Sequence, residues 1–292
     1  MSIGRRTLLM GAAALPALAA ANRWAVCSET FAGMDFVSAC KAAKRLGYAA
    51  MEVEPAHLSS DPASLPPGRR RELRSAMEGE GLRFAGLHSM LKAPAGMHLT
   101  TPNATVRQTT WDYFARLVDL AADLGDRPVM VLGSSKQRAA IDGATVEQAV
   151  ARLTEGLSKL APQAEGRKVE ILMEPLAPHQ CNVIHTMEEA MRLVRQVNSP
   201  AVQSMLDTHN TAAEKLPLDE LIRTYARAIR HVHLNELDGK RPGAGTFPFP
   251  VVLRELARIG YKGWLSVEVF DFKPDGETVA RQAIEYLHSI KT

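Results

Sequence analysis

Four residues have side chains and spacing suited to holding one divalent cation: Glu174, Asp207, His233 and Glu268. Each closes a short apolar run: Ile171-Leu172-Met173-Glu174, Ser204-Met205-Leu206-Asp207, His231-Val232-His233 and Leu265-Ser266-Val267-Glu268. The gaps are 33, 26 and 35 residues (207−174, 233−207, 268−233). If these runs are parallel neighbouring strands, the four side chains converge on one face. Carboxylate oxygens suit hard cations, and an imidazole shifts the preference toward transition metals. The set favours Mn²⁺, with Co²⁺, Mg²⁺, Fe²⁺ and Zn²⁺ as alternatives. Such an ion can hold two adjacent oxygens of a hydroxy-ketone and stabilise an enediolate. Glu174 and Glu268 come from strands well separated in order and are the natural catalytic pair for moving the proton. Taken singly, each acid could equally cap a helix or pair with an arginine. Four at equivalent strand ends make the stronger pattern.

Other polar residues belong to the same rim. His88 ends the third strand and is expected to contact substrate or to be a core histidine. Lys136, in Gly133-Ser134-Ser135-Lys136-Gln137-Arg138, follows the fourth strand and suits a sugar hydroxyl, a carboxylate or a phosphate. His179 lies near enough to Glu174 to face a substrate. Glu52 and Glu54 share one side of the second strand, so one of them can reach the site. His231 has the inward parity of His233 but lies deeper, which predicts a buried, hydrogen-bonded role. His57 and His98 fall on loops and are expected to be exposed. Trp111 is expected to pack between helices.

The elements that must present these residues alternate along the chain. Strand-like runs fall at 24–31, 49–54, 83–90, 128–132, 169–174, 202–207, 231–235 and 264–270. Helical patterns fall at 36–46, 68–80, 106–124, 146–164, 187–197, 218–228, 249–259 and 278–290. Runs such as Val129-Met130-Val131-Leu132 are apolar throughout, as parallel strands covered by helices require. Gly47, Gly81, Gly125, Gly166 and Gly260 each fall where a helix should end in a left-handed cap. A doubly wound sheet would place a Gly-rich phosphate turn after the first strand, but Glu29-Thr30-Phe31-Ala32-Gly33-Met34 carries no such fingerprint. Eight repeating units predict a single-domain α/β fold, a (β/α)8 TIM barrel. The loops at 92–105 and 236–248 then lie on the side where barrel enzymes build their sites.

Composition sets outer limits. With 292 residues, 46% hydrophobic and 23% charged, the chain can bury a large core. A net charge of only +3 with scattered basic residues gives no groove for nucleic acid. Arg5-Arg6 precedes an apolar stretch from Leu8 to Ala21 that carries Ala17-Leu18-Ala19, the pattern of a twin-arginine export signal. That stretch is short for a membrane span. Residues 1–22 are therefore expected to be an export signal and 23–292 the barrel, periplasmic or otherwise extracytoplasmic, with no stable membrane insertion after signal removal. Cys27, Cys40 and Cys181 match no zinc or disulfide framework and are expected to be small buried residues.

From residue 23 onward the chain resembles the sugar-phosphate isomerase/epimerase family. These are the xylose-isomerase-like barrels that include ketohexose 3-epimerases, hydroxypyruvate isomerase and inosose dehydratase. The resemblance is carried by Met173-Glu174-Pro175-Leu176, Leu206-Asp207-Thr208-His209, His231-Val232-His233-Leu234-Asn235-Glu236, Arg241-Pro242-Gly243-Ala244-Gly245 and Val267-Glu268-Val269-Phe270. It implies a (β/α)8 barrel, an Mn²⁺-like ion on Glu174, Asp207, His233 and Glu268, and proton transfer by the two glutamates. The sugar contacts depart from the ketohexose epimerase pattern. Gln180 stands where those enzymes have a Glu. Asn210 stands where they have a His, with His209 one step earlier. Gly239 stands where they have an Arg, with Lys240 and Arg241 nearby. His209 and Arg241 are thus added to His88, Lys136 and His179 as substrate-binding candidates.

The expected function is a metal-dependent isomerase or epimerase acting on an unphosphorylated sugar or sugar derivative through an enediolate. A lyase that expels an aglycone from a 3-keto-glycoside is the alternative within the enzyme class. Outside it stands a non-catalytic sugar-binding barrel. The multi-metal phosphodiesterases that the same resemblance brings in would imply a site far richer in histidine; this chain has nine histidines in all and no basic groove. The expected partner is a small carbohydrate, and a homo-oligomer is left open.

Overall fold

The computed structural model describes residues 23–291; the segment read as an export signal lies outside them. The strands are β1 (Trp24–Cys27), β2 (Ala50–Val53), β3 (Arg83–Leu87), β4 (Val129–Leu132), β5 (Glu170–Met173), β6 (Val202–Asp207), β7 (Ile229–Leu234) and β8 (Leu265–Val267). They alternate with α1 (Phe36–Arg45), α2 (Pro67–Gly79), α3 (Ala104–Leu124), α4 (Val146–Arg167), α5 (Met187–Val197), α6 (Leu218–Thr224), α7 (Phe249–Arg258) and α8 (Gly276–Ser289). Every strand pairs in parallel with the next, and β8 returns to β1 to close the barrel. This is the (β/α)8 fold that the alternation predicts.

Local chemistry starts the helices where the pattern places them. Asp35, Asn103, Thr186 and Asp275 accept backbone N–H bonds as N-caps, and Thr145 forms a reciprocal capping box with Gln148. The expected glycine caps hold at Gly47, Gly81 and Gly260, all at positive φ. They fail at two places. Gly125 is extended, with φ −161°. Gly166 lies inside α4, whose left-handed cap is Lys168 at φ 59°. Several strands are shorter than their apolar runs. After Cys27 the chain turns into a 3-10 segment, Ser28–Phe31, and Glu174 and Glu268 stand one residue past β5 and β8. These backbones leave the ladder to cross the rim.

The main core joins the outward faces of the strands to helix residues such as Phe114, Leu153 and Leu256. Ala25, Ala50 and Ala85 pack with Trp264 in a separate small cluster. Gly86 is what lets β3 lie against β4. A Cβ there would sit 2.2 Å from the Val129 carbonyl oxygen and 2.6 Å from its Cγ2. Gly86→Ala is therefore expected to cost about 1–3 kcal/mol through overpacking, read as a lower midpoint in urea unfolding. An unchanged midpoint would mean that the two strands can part freely. All three cysteines are buried and free. Among the described residues, no helix is long and apolar enough to cross a membrane.

Candidate metal centre

Glu174, Asp207, His233 and Glu268 meet at the C-terminal mouth of the barrel. One ligand atom from each lies within 4.8 Å of all the others. In register, Asp207 of β6 sits beside His233 of β7. His233 Nδ1 is 3.1 Å from Glu268 Oε2 and 3.7 Å from Glu174 Oε1. His233 is wholly buried, and the three acids are nearly so.

Each of these candidate ligands is held from behind. Glu52 is wholly buried and accepts Nε2–H bonds from His231 at 2.7 Å and from His233 at 3.0 Å. That bond puts the proton of His233 on Nε2 and turns Nδ1 to the acids, the usual arrangement behind a metal-binding histidine. Asp207 accepts the backbone N–H of His209 on Oδ1 and the Asn210 amide on Oδ2. Glu174 fits because position 133 is glycine: a Cβ there would lie 2.1 Å from Glu174 Oε2. Gly133→Ala should therefore displace Glu174 while leaving the barrel folded. We expect at least a tenfold loss of metal affinity, in line with disturbed support for a ligand, measured by competition with a chromogenic chelator. Parent-like affinity would mean that Glu174 is free to move aside.

The donor set fits a divalent cation. Among the described residues His233 Nδ1 is buried without a hydrogen-bond partner, and it faces two carboxylates. Burial, with Glu174 and Glu268 close by, pushes Asp207 well above the usual carboxylate range. Burial acts the other way on His233, but Glu268 and Glu52 raise it well above the usual imidazole range. Burial also opposes ionisation of Glu268, yet His233 and His88 hold it low. Crowded acids of this kind bind either protons or a cation.

A cavity of about 220 Å³ opens above the cluster, floored by Glu174, Asp207 and Glu268. Lys136 lines it, as do Lys92, Gln180, Asn210 and Phe270. The other substrate-binding candidates stand elsewhere. His88 lies behind Glu268 and bridges it to Glu29: Nδ1 is 3.2 Å from Glu268 Oε1 and Nε2 is 2.9 Å from Glu29 Oε2. His209 is buried under Phe270, and its Nδ1–H donates to the Glu236 carbonyl. His179 is exposed and meets the edge of His209 rather than the cavity. Arg241 turns away, donating to Gln282 on α8 and to the Pro242 carbonyl, because its loop packs over α8.

Of the second-strand acids, Glu52 reaches the site from below. Glu54 accepts from Lys92 at the mouth, 3.0 Å away. His231 is buried against Glu52, and Trp111 packs its ring on Gly156. His57 and His98 are partly buried rather than exposed; His57 is tied to the Met34 carbonyl. Gly133, Asn210 and Lys92 were not singled out as site residues by the sequence pattern. Gly133 carried one usable signal, a glycine directly after a strand on the functional side, and Asn210 another, its place where the resembled epimerases have a His.

A family model described as "Xylose isomerase-like TIM barrel" matches residues 40–290. Fructoselysine 3-epimerase of Escherichia coli is 28% identical over 145 residues, 48% of this chain and 53% of that protein. D-psicose 3-epimerase of Ruminiclostridium cellulolyticum is 33% identical over 119 residues, 41% of each. The chain thus spans about half the length of the curated relatives it matches. Among solved structures, D-psicose 3-epimerase with D-tagatose from Clostridium cellulolyticum superposes with TM-score 0.79 at 20% identity, covering 92% of this chain and 99% of that one. A 3-keto-D-glucoside 4-epimerase from E. coli gives TM-score 0.79 at 16% identity over 91% and 99%. At these identities the superpositions establish the fold alone.

Proposed function

The chain belongs to the xylose isomerase-like TIM barrel family, and from that premise we propose that it isomerises or epimerises a sugar or sugar derivative with the help of one divalent cation. The observation that carries this reading is the buried set of Glu174, Asp207, His233 and Glu268 under a polar cavity. Relatives named fructoselysine 3-epimerase and D-psicose 3-epimerase support the reaction class. The four residues would hold the ion, with Mn²⁺ as first choice and Co²⁺, Mg²⁺, Fe²⁺ or Zn²⁺ as alternatives. Bound there, it would supply the positive charge that stabilises an enediolate.

Glu174 and Glu268 do the proton work. One carboxylate takes the proton from the carbon beside the substrate carbonyl. For epimerisation, the other returns a proton to that carbon from the opposite face. Glu52 and Asn210 keep the ligands oriented, and Lys136 and Gln180 line the wall where a sugar's polar groups would rest. We further propose that the protein works outside the cytoplasm on an unphosphorylated substrate, on the strength of Arg5-Arg6 and the apolar run that follows.

The test is an assay of the metal-loaded protein on free ketoses, glycated amines and 3-keto-glycosides, run in D₂O. Isomerised product carrying solvent deuterium at the reacting carbon supports the reading. A released aglycone would assign the chain as a lyase using the same proton abstraction. Sugar binding with no deuterium incorporation would make it a binding barrel and end the enzymatic reading.

A further inference from the structure

A second group of donors stands beside the first and shares Glu268 with it. One ligand atom from each of Cys27, Glu29, His88 and Glu268 also lies within 4.8 Å of the rest. Cys27, His88 and Glu268 are buried and Glu29 is partly so. The two groups share Glu268 and divide it between them. Its Oε2 faces His233 Nδ1 at 3.1 Å, and its Oε1 faces His88 Nδ1 at 3.2 Å. His88 also repeats the support of His233. Its Nε2 meets Glu29 at 2.9 Å, as Nε2 of His233 meets Glu52 at 3.0 Å. A carboxylate that offers one oxygen to each of two donor groups is placed to bridge two cations.

We propose that Cys27, His88 and Glu268 form a second divalent-cation site, with Glu29 holding His88 from its Nε2 side and Glu268 bridging to the first. The proposal rests on the metal reading above only through that shared residue. A thiolate and an imidazole make this set softer than the first, which favours Zn²⁺, Co²⁺ or Fe²⁺ over Mn²⁺ and Mg²⁺. Binding forms a metal–sulfur bond and releases the Cys27 proton to solvent. Burial and the nearby Glu52 carboxylate hold that proton on sulfur, so the cation's own charge must displace it. The rival occupant of the space is a proton, with His88 as an imidazolium between Glu29 and Glu268.

Cobalt separates the two. The full chain is stripped of metal, titrated with Co²⁺ and desalted. Cobalt per chain and near-ultraviolet thiolate-to-cobalt absorption are then read together. We expect two cobalt ions per chain and the thiolate band. Cys27→Ser should lose the band and one equivalent. Asp207→Asn should lose an equivalent and keep the band. One cobalt with no band would overturn the second site and leave the first standing. No cobalt at all would overturn both. A band that survives Cys27→Ser would place the thiolate on another cysteine and also overturn the proposal. The decisive band is read in the unaltered chain, so poor folding of a variant cannot hide the result.

Discussion

Glu268→Gln is expected to lower turnover by about 10²–10⁴-fold, the range that a positioned acid–base group contributes. That corresponds to about 3–5 kcal/mol of lost transition-state stabilisation. Glutamine keeps the shape of the side chain and the contact with His88 but cannot carry a proton between carbon and cavity. The same exchange removes an anionic ligand, so metal content is measured alongside the rate. Turnover normalised to bound metal should still fall by the stated factor. Sugar affinity, measured by calorimetry, should stay within a few-fold, because the lining residues Lys136, Gln180 and Asn210 are untouched. Glu174→Gln should behave alike, and the double variant should be little worse than either single one, since both serve one proton path. A Glu268→Gln protein that turns over within threefold of the parent, per bound metal, would remove Glu268 from the chemistry.

Glu52→Gln should damage both stability and metal binding. Glu52 has no exposed surface, and its carboxylate accepts from His231 and His233 while Cys27 Sγ lies 3.6 Å away. Burial alone would keep such an acid protonated, but the two imidazoles hold it well below the usual carboxylate range. Removing the charge leaves two buried imidazoles facing a neutral amide. Breaking a buried charged pair in this way costs about 3–5 kcal/mol. Loss of the carboxylate behind a metal-binding histidine typically lowers metal affinity by about 10–100-fold. Urea unfolding with and without Mn²⁺ reads both effects. The variant should unfold earlier without metal and gain less on adding it, because stabilisation by a ligand falls with its affinity. A variant as stable as the parent, with the same gain from Mn²⁺, would show that His231 and His233 are satisfied without the charge.

Several features were legible in the sequence because they depend on local rules. The alternation of apolar runs and amphipathic stretches gave eight units, and continuous apolar strands required a covered parallel sheet. Asp207, His233, Glu174 and Glu268 stood out because each ends such a run, and strand direction carries every run's end to the same rim. His231 was readable as buried from parity with His233. Helix ends were less certain. Gly166 looks like a cap by spacing alone, yet α4 continues past it to Arg167 because the turn at Lys168 satisfies the last carbonyls instead.

The substrate candidates show where local rules stop. His88, His179, His209 and Arg241 all lie on the correct side of the barrel, and the sequence determines that much through strand direction. Whether each points into the cavity depends on side-chain partners from distant elements. Glu29 of the β1 loop draws His88 beneath Glu268, Phe270 covers His209, and Gln282 of α8 turns Arg241 outward. Glu52 is the converse case. From sequence it is one of two acids on a strand, and only barrel closure places it under His233, 181 positions away. The chain alone therefore determined the fold and the convergence of Glu174, Asp207, His233 and Glu268 on one rim, through periodicity and direction. The tertiary structure decided which polar side chains face the cavity and which hold others in place, because hydrogen-bond partners at that range are set by packing.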